Sequence, residues 1–298
     1  MPDGRPLPTL LDRALGAYLG LAIGDALGAT VEFMTPREIA ANIGVHDTIT
    51  GGGWLRLKPG QVTDDTTMSL ALGDAIVARR GWDLREVAER YVDWMRAMPV
   101  DCGHTCRRGI RRYLTDGSLQ AEYHDGDAGN GAVMRNLPVM LAFHRDEAQL
   151  ARCSLEQGRI THNHPLSDAA NLALARMTAC LLKGDGVGAA RSIADGLVQQ
   201  EPRFGFDAYR GPASGYVVDT VRTVLAHFFE GTDFERTLVA VVNRGEDADT
   251  TGAIAGMLAG ARYGRQALPQ RWLRRVDPDI RHRIEVQVRQ LLTLGPPL

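Results

Sequence analysis

Two stretches of the chain carry the same pattern of glycine among small and apolar residues. In one, Gly16, Gly20, Gly24 and Gly28 recur every fourth position; in the other the repeat is Gly252, Gly256, Gly260 and Gly264. A spacing of four lies along one face of an α-helix and drifts slowly around it, so each stretch predicts a helix with one face bare of side chains. Glycine inside a helix costs up to roughly 1 kcal/mol against alanine, and close approach of another helix is what would offset four of them. Both are expected to be buried central helices and are candidates for contact with each other. Asp12 is the expected cap of the first, which runs to about Ala29; the second spans 250–263. Asp25 and Arg262 interrupt the apolar runs, which excludes the membrane form of this pattern.

The rest of the chain also reads at helical period. Met68, Leu72, Ala75 and Ile76 form one stripe of a helix over 64–80. Further helices are predicted over 84–96, 106–114, 132–143, 154–160, 167–182, 188–200, 216–229, 234–243 and 281–294. Pro138 either kinks its helix or falls near a start, and Ser167 or Asp168 caps the helix over 167–182. Residues 35–62 read as irregular, with Gly51-Gly52-Gly53 and Pro59-Gly60 as turn signals, and 161–165 reads as a loop. No alternating run flanked by hairpin turns is present, so the fold class is all-α. Nothing resembling a linker divides the chain. The expectation is one domain over 1–298, with 1–10 as a loose leader.

Composition narrows the function. The chain has 298 residues, 44% hydrophobic, with a formal net charge of -2. A global electrostatic grip on nucleic acid is not expected at that balance. The four cysteines, Cys102, Cys106, Cys153 and Cys180, form no C-x-x-C pair, which suggests neither a zinc site nor a disulfide framework and fits a reducing cytoplasm. The first ten residues have no basic region followed by an apolar one, so no signal peptide is expected.

Two acidic groups then demand an explanation. Thr63-Asp64-Asp65-Thr66 and Asp247-Ala248-Asp249-Thr250 each open an apolar helical run. Helix capping and the helix dipole account for one Asp at each place. They do not account for two at both, with threonine neighbours. With Glu32, the four Asp would carry five negative charges, which two divalent ions would nearly neutralise. All are hard oxygen donors, joined by the Thr63 and Thr250 hydroxyls, so Mg²⁺ or Mn²⁺ is favoured over zinc. One Asp of each group, Asp65 and Asp249, could bridge the ions. His162 and His164 form an H-x-H without a third soft ligand, which argues against zinc.

At this point a resemblance is visible. Gly20-Leu21-Ala22-Ile23-Gly24-Asp25-Ala26-Leu27-Gly28, Thr63-Asp64-Asp65-Thr66, Gly126-Asp127-Ala128-Gly129-Asn130-Gly131-Ala132 and Asp247-Ala248-Asp249-Thr250 occur in the order of the ADP-ribosylglycohydrolases. The resemblance covers about residues 11–290 and is greatest to the members that act on dinitrogenase reductase. It implies a compact, monomeric, orthogonal multi-helix bundle with a dimanganese or dimagnesium centre at helix N-termini, manganese first. It implies cleavage of the N-glycosidic bond between ADP-ribose and an arginine side chain, with ADP-ribosylated dinitrogenase reductase as the protein substrate. Metal ligands are implied at Thr63, Asp64, Asp65, Asp247, Asp249 and Thr250. Regulation by a PII-type signalling protein, with sequestration at an ammonium-channel membrane complex, is implied as well.

The chemistry asks for more residues. Guanidine leaves well only when protonated, the ribose develops oxocarbenium character, and water must arrive. Asp101 matches a position that the family associates with catalysis, its plainer reading being a loop or capping Asp; Glu32 is its rival for proton transfer. Substrate contacts are expected from His104, Thr105, Cys106, Tyr123, Gly129, Asn130, Gly131, His162 and Tyr216. The loop over 126–131 could cradle a diphosphate with backbone N–H groups, Tyr123 and Tyr216 could stack on adenine, and His162 could meet ribose or phosphate. Asp127 would repel phosphate unless it faces away. The Arg107, Arg108, Arg111 and Arg112 cluster is either a solvated helix face or a meeting point for ADP-ribose or a protein. Two positions depart from the family pattern: Glu246 stands where glycine is usual, and His104 where asparagine is usual. Two other readings remain: the same chemistry on another protein or a small ADP-ribosyl compound, and a non-catalytic, ADP-ribose-binding or crystallin-like relative.

Overall fold

The computed structural model describes residues 7–294. Fourteen α-helices occur among them: α1 (Leu10–Gly28), α2 (Pro36–Asn42), α3 (Asp64–Arg79), α4 (Leu84–Arg96), α5 (His104–Asp116), α6 (Leu137–Phe143), α7 (Glu147–Arg159), α8 (Pro165–Lys183), α9 (Gly186–Gln200), α10 (Val217–Glu230), α11 (Phe234–Val242), α12 (Ala248–Tyr263), α13 (Gln270–Leu273) and α14 (Pro278–Leu292). No strand forms among the described residues. Two isolated bridges, Gly52 with Leu57 and Gly129 with Tyr216, pin loops instead. The protein is an all-α, compact helix bundle, as the periodicity predicts. Among the described residues no helix is long and apolar enough to cross a membrane.

The bundle is built around α1 and α12, which are apolar on every side and buried along most of their length. They run antiparallel with their glycine faces together. A Cβ placed on Gly16, Gly20 or Gly24 would fall 2.4, 2.3 or 1.9 Å from the carbonyl oxygens of Gly260, Gly256 and Gly252. One on Gly28 would fall 2.0 Å from that of Ala248. Backbone thus meets backbone at every rung, and no side chain fits in the seam. The register sets the end of α1 beside the start of α12, which is where the second acidic group lies.

Several helix starts differ from the expected ones, each for a local reason. Thr9 caps α1, accepting from the Asp12 backbone N–H at 3.2 Å, so Asp12 lies inside the first turn. The expected leader therefore stops short of Thr9 within the described residues, and its residues 1–6 lie outside them. α2 forms inside the stretch expected to be irregular, with a reciprocal capping box between Thr35 and Glu38 and Pro36 at the first turn. α6 starts at Leu137, not Ala132, because a proline is tolerated in the first turn, where its missing N–H has no intrahelical partner to lose. α7 starts at Glu147, capped by Asp146, which accepts from Gln149 N–H at 3.0 Å. α8 is capped by His164 rather than Ser167 or Asp168; Asp168 instead pairs with Arg159 at 2.7 Å. α13 was not expected, and α14 starts at Pro278 under an Asp277 cap.

Candidate active site

The chain leaves α1, turns, and places Glu32 next to the start of α12. Glu32, Asp247 and Asp249 present ligand atoms within 4.8 Å of one another. The first acidic group arrives from α3. Asp65 Oδ2 accepts from the Thr250 hydroxyl at 3.1 Å and from the Thr63 hydroxyl at 3.3 Å, which joins the two groups across nearly 200 residues of sequence. Asp65 Oδ1 is buried without a hydrogen-bond partner. Asp64 Oδ2 accepts from the Gly103 backbone N–H at 3.0 Å, and Asp247 Oδ2 accepts from Asn130 Nδ2.

Asp25 is the residue that fixes this meeting; in the sequence it stands out as an interruption in an apolar run and as part of the Gly20–Gly28 motif, with no site role of its own. It is fully buried on α1. Its carboxylate accepts from the backbone N–H of Thr63 at 3.0 Å, the backbone N–H of Thr66 at 3.2 Å and the Thr66 hydroxyl at 2.5 Å. Thr63 makes no side-chain cap of its own to α3. One helix therefore supplies the cap of another, and the α3 N-terminus is held at a fixed place beside α12. The signal was a lone carboxylate inside an otherwise apolar helix.

So many buried carboxylates have a clear electrostatic consequence. Burial is the leading cause throughout. It pushes Asp25 up to about 6, against the hydrogen bonds from Thr66 and Thr63. Burial, then Asp101, raises Asp64 to about 7, and burial with Asp247, Asp101 and Asp64 raises Glu32 to about 8. Asp65 and Asp249 rise well above the ordinary carboxylate range, and Asp247 rises too, opposed by its bond from Asn130. Such a group cannot ionise together without a counter-charge. The N-termini of α3, α5 and α12, none with a side-chain cap from its own cap residue, provide part of it. The donor set, hard oxygens with one buried lone oxygen on Asp65, fits a hard divalent cation, and Glu32, Asp247 and Asp249 could hold one.

Glu32, Asp64, Asp247, Asp249 and Thr250 line one cleft of about 630 Å³, together with Asp101, His104, Thr105 and Cys106, while Asp65 is fully buried and Thr63 lines a separate cavity. Asp101 is half-buried, and its Oδ1 accepts from Cys102 N–H at 2.7 Å. His104 is exposed in the first turn of α5. Gly129, Asn130 and Gly131 form the opposite wall, tied down by Asn130 N–H to Gly215 O at 3.2 Å and Val217 N–H to Ala128 O at 2.9 Å. His162 also lines the cleft and packs against this wall: a Cβ on Gly131 would fall 2.8 Å from its ring and 2.9 Å from Cys106 Sγ. Burial drives the His162 imidazole down to about 3, so it is neutral, and its Nδ1 shares a 2.7 Å hydrogen bond with the Thr161 hydroxyl. Tyr216 is part of the bridge to Gly129 and is 39% exposed. Tyr123 is placed elsewhere, in a neighbouring cavity with Arg108 and Thr161, stacked on His164 at 5.6 Å.

Other expectations resolve at the rim. Asp127 is buried and paired with Arg108, so it faces away from the Gly129–Gly131 wall. Arg112 donates to the carbonyls of Ser118 and Ile160, both at 3.0 Å, so part of the arginine cluster ties loops together. Glu246 takes a left-handed backbone, φ 53°, which explains why glycine suits the position. Its Oε2 accepts from Ala213 N–H at 2.9 Å. Residues the sequence reading missed include Phe33 and Trp54, at the mouth of the cleft, and Arg135, fully buried behind Cys106 and Thr161.

Comparison with known proteins identifies the family. The family profile described as ADP-ribosylglycohydrolase matches residues 6–297. A Rhodospirillum rubrum protein named ADP-ribosyl-[dinitrogen reductase] glycohydrolase is 54% identical over 288 residues, 97% of this chain and 98% of that protein. The ADP-ribosylarginine hydrolase Tri1 of Pseudomonas putida (strain GB-1) is 34% identical over 284 residues, 89% of this chain and 74% of that protein. A solved structure titled ADP-ribosylglycohydrolase-related protein complex superposes with a TM-score of 0.86 at 34% identity, covering 96% of this chain and 98% of that one.

Proposed function

The chain belongs to the ADP-ribosylglycohydrolase family, and from that premise we propose that it removes mono-ADP-ribose from an arginine of dinitrogenase reductase, acting as a single domain. The observation that carries the reading is the convergence of Asp64, Asp247, Asp249 and Glu32 in one cleft that also holds a glycine wall, with the buried Asp65 joined to them through the Thr250 hydroxyl. The near full-length likeness to a protein of that name supports the target.

In this reading Thr63, Asp64, Asp65, Asp247, Asp249 and Thr250 hold two divalent ions, manganese before magnesium, with Glu32 beside them. When bound, the ions supply Lewis acidity and a positive charge that lets the carboxylates ionise together. The rest is the work of the chain. Gly129, Asn130 and Gly131, with His104, Thr105, Cys106, His162 and Tyr216, bind and orient the ADP-ribose; Tyr123 belongs to the adenine end if the nucleotide reaches the neighbouring cavity. Cleavage breaks the bond from ribose C1 to the guanidine nitrogen. The hydroxyl of water goes to C1, and a proton goes to the leaving guanidine. Asp101 and Glu32 are the carboxylates that move that proton. Trp54 Nε1–H holds Glu32 at 2.5 Å, which fixes its direction at the mouth. The sequence resemblance adds a PII-type protein and an ammonium-channel complex as regulatory partners.

The test is release of ADP-ribose from ADP-ribosylated dinitrogenase reductase, with and without Mn²⁺. Manganese-dependent release is expected. If arginine-linked ADP-ribose on other carriers is cut and this protein is not, the target is wrong and the chemistry stands. If neither is cut, the hydrolase reading fails.

A further inference from the structure

Two large aromatic side chains stand at the cleft mouth with little to do for the fold. Phe33 is 65% exposed and Trp54 51%, with ring centroids 5.3 Å apart and planes at 57°. Both are held firmly. Phe33 has a left-handed backbone, φ 63°, a region unfavourable for any residue with a Cβ. Its N–H donates to Glu246 O at 2.6 Å, and Glu246 N–H donates back to Met34 O at 2.8 Å, so the turn is fixed from both sides. Trp54 is carried by Gly51, Gly52 and Gly53, all at positive φ, and a Cβ on Gly53 would fall 2.3 Å from Ala29 O. The two rings thus flank Glu32: one follows it in the chain, and the other is hydrogen-bonded to it.

We propose that Phe33 and Trp54 form an aromatic seat for the leaving guanidinium and so set the preference for arginine-linked ADP-ribose; this rests on the function proposed above. Glu32, Phe33 and Trp54 line the same cleft, and an aromatic face attracts a guanidinium held within ~6 Å of its centroid. The guanidinium is planar and weakly hydrated, and stacks readily on aromatic faces. The chain makes such contacts elsewhere, with Arg222 over Tyr209 at 3.9 Å and Arg271 over Trp272 at 4.8 Å. The remainder of the arginine side chain then points outward, toward the protein that carries it. A neutral leaving group, such as a serine hydroxyl, gains nothing from the rings.

The test measures hydrolysis of ADP-ribosylarginine and inhibition by ADP-ribose for wild type, Phe33→Ala, Phe33→Leu and Trp54→Phe, each checked for folding by circular dichroism. Phe33→Ala and Phe33→Leu are expected to raise KM roughly 2- to 30-fold and to leave ADP-ribose inhibition unchanged. Trp54→Phe keeps a ring and loses the N–H to Glu32, so it lowers kcat more than it raises KM. Wild-type KM in Phe33→Leu overturns the proposal, since apolar bulk would then suffice. Weaker inhibition by ADP-ribose in step with KM also overturns it, because the rings would then shape the nucleotide site. A wild-type protein that leaves ADP-ribosylarginine uncut defeats the parent function, and the seat with it; a wild-type KM in Phe33→Ala, with wild-type activity present, defeats the seat alone.

Discussion

Gly24→Ala puts a single methyl into the seam between α1 and α12. Its carbon would lie 1.9 Å from the Gly252 carbonyl oxygen and 2.3 Å from the carbonyl carbon, where ordinary contact begins at 3.4 Å. Alanine gains ~1 kcal/mol of helix propensity over glycine. Against this stands an overpacking cost at or above the usual ~1–3 kcal/mol, since a carbonyl within a helix has no rotamer to escape into. The expected net is a loss of about 2 kcal/mol or more. Separation of the helices would also carry Asp25 away from the α3 N-terminus. Gly196→Ala is the control: the residue is within α9, and a Cβ there meets nothing within 4 Å. The same chemical change should stabilise at that site by up to ~1 kcal/mol. Urea denaturation followed by far-ultraviolet circular dichroism measures both, and ADP-ribose release reads the site. A Gly24→Ala midpoint equal to or above wild type would refute the close-approach account of the glycine repeat.

Asp25→Asn presents one acceptor oxygen and an NH₂ group to donors that now share a carboxylate, so it should cost about 1–3 kcal/mol and most of the hydrolase activity; unchanged urea midpoint and turnover would exclude the cross-helix cap. Mn²⁺ at a hundred times its dissociation constant should stabilise the protein by about 2.7 kcal/mol, seen as a fall in melting temperature on chelation. Asp65→Asn should erase that difference, and a wild type indifferent to both Mn²⁺ and chelator would rule out the metal site. His162 sits below its ordinary 6.5, at about 3, so the stability it contributes is present above 6.5 and lost as the pH falls toward 3. His162→Gln should therefore flatten the fall in urea midpoint between pH 7 and 4.5, and equal slopes would refute its burial as the neutral ring.

The parts legible in the sequence were those where one residue type repeats at a structural period or recurs at a structural boundary. The glycine rows announced α1 and α12, and the doubled Asp with threonine announced two helix starts that share a site. What escaped was set by single long-range contacts. Asp25 carries no local mark of its role, because its partners Thr63 and Thr66 are distant in sequence. Phe33 reads as any apolar residue until its backbone φ and its exposure are known. Tyr123 shares its type with Tyr216, yet only packing sends it to a different cavity. Helix starts were missed where the cap was read from the wrong residue: Thr9 before Asp12, His164 before Ser167. Glu246 was legible as a departure, and its left-handed backbone gives the reason.

The seam between α1 and α12 also bears on how the protein is born. α1 emerges from the ribosome early, and its partner follows only after more than 200 further residues. At ~5–20 residues per second, the bare glycine face of α1 waits on the order of ten to forty seconds for the one helix shaped to meet it. No helix studded with side chains can take that place at the same distance, so an early wrong docking gains little and comes apart readily. The core then closes late, and with it the site, because the rung that seats Gly28 against Ala248 also brings Asp249 to Asp65. A nascent chain cut short before α12 has neither a finished interior nor an active cleft.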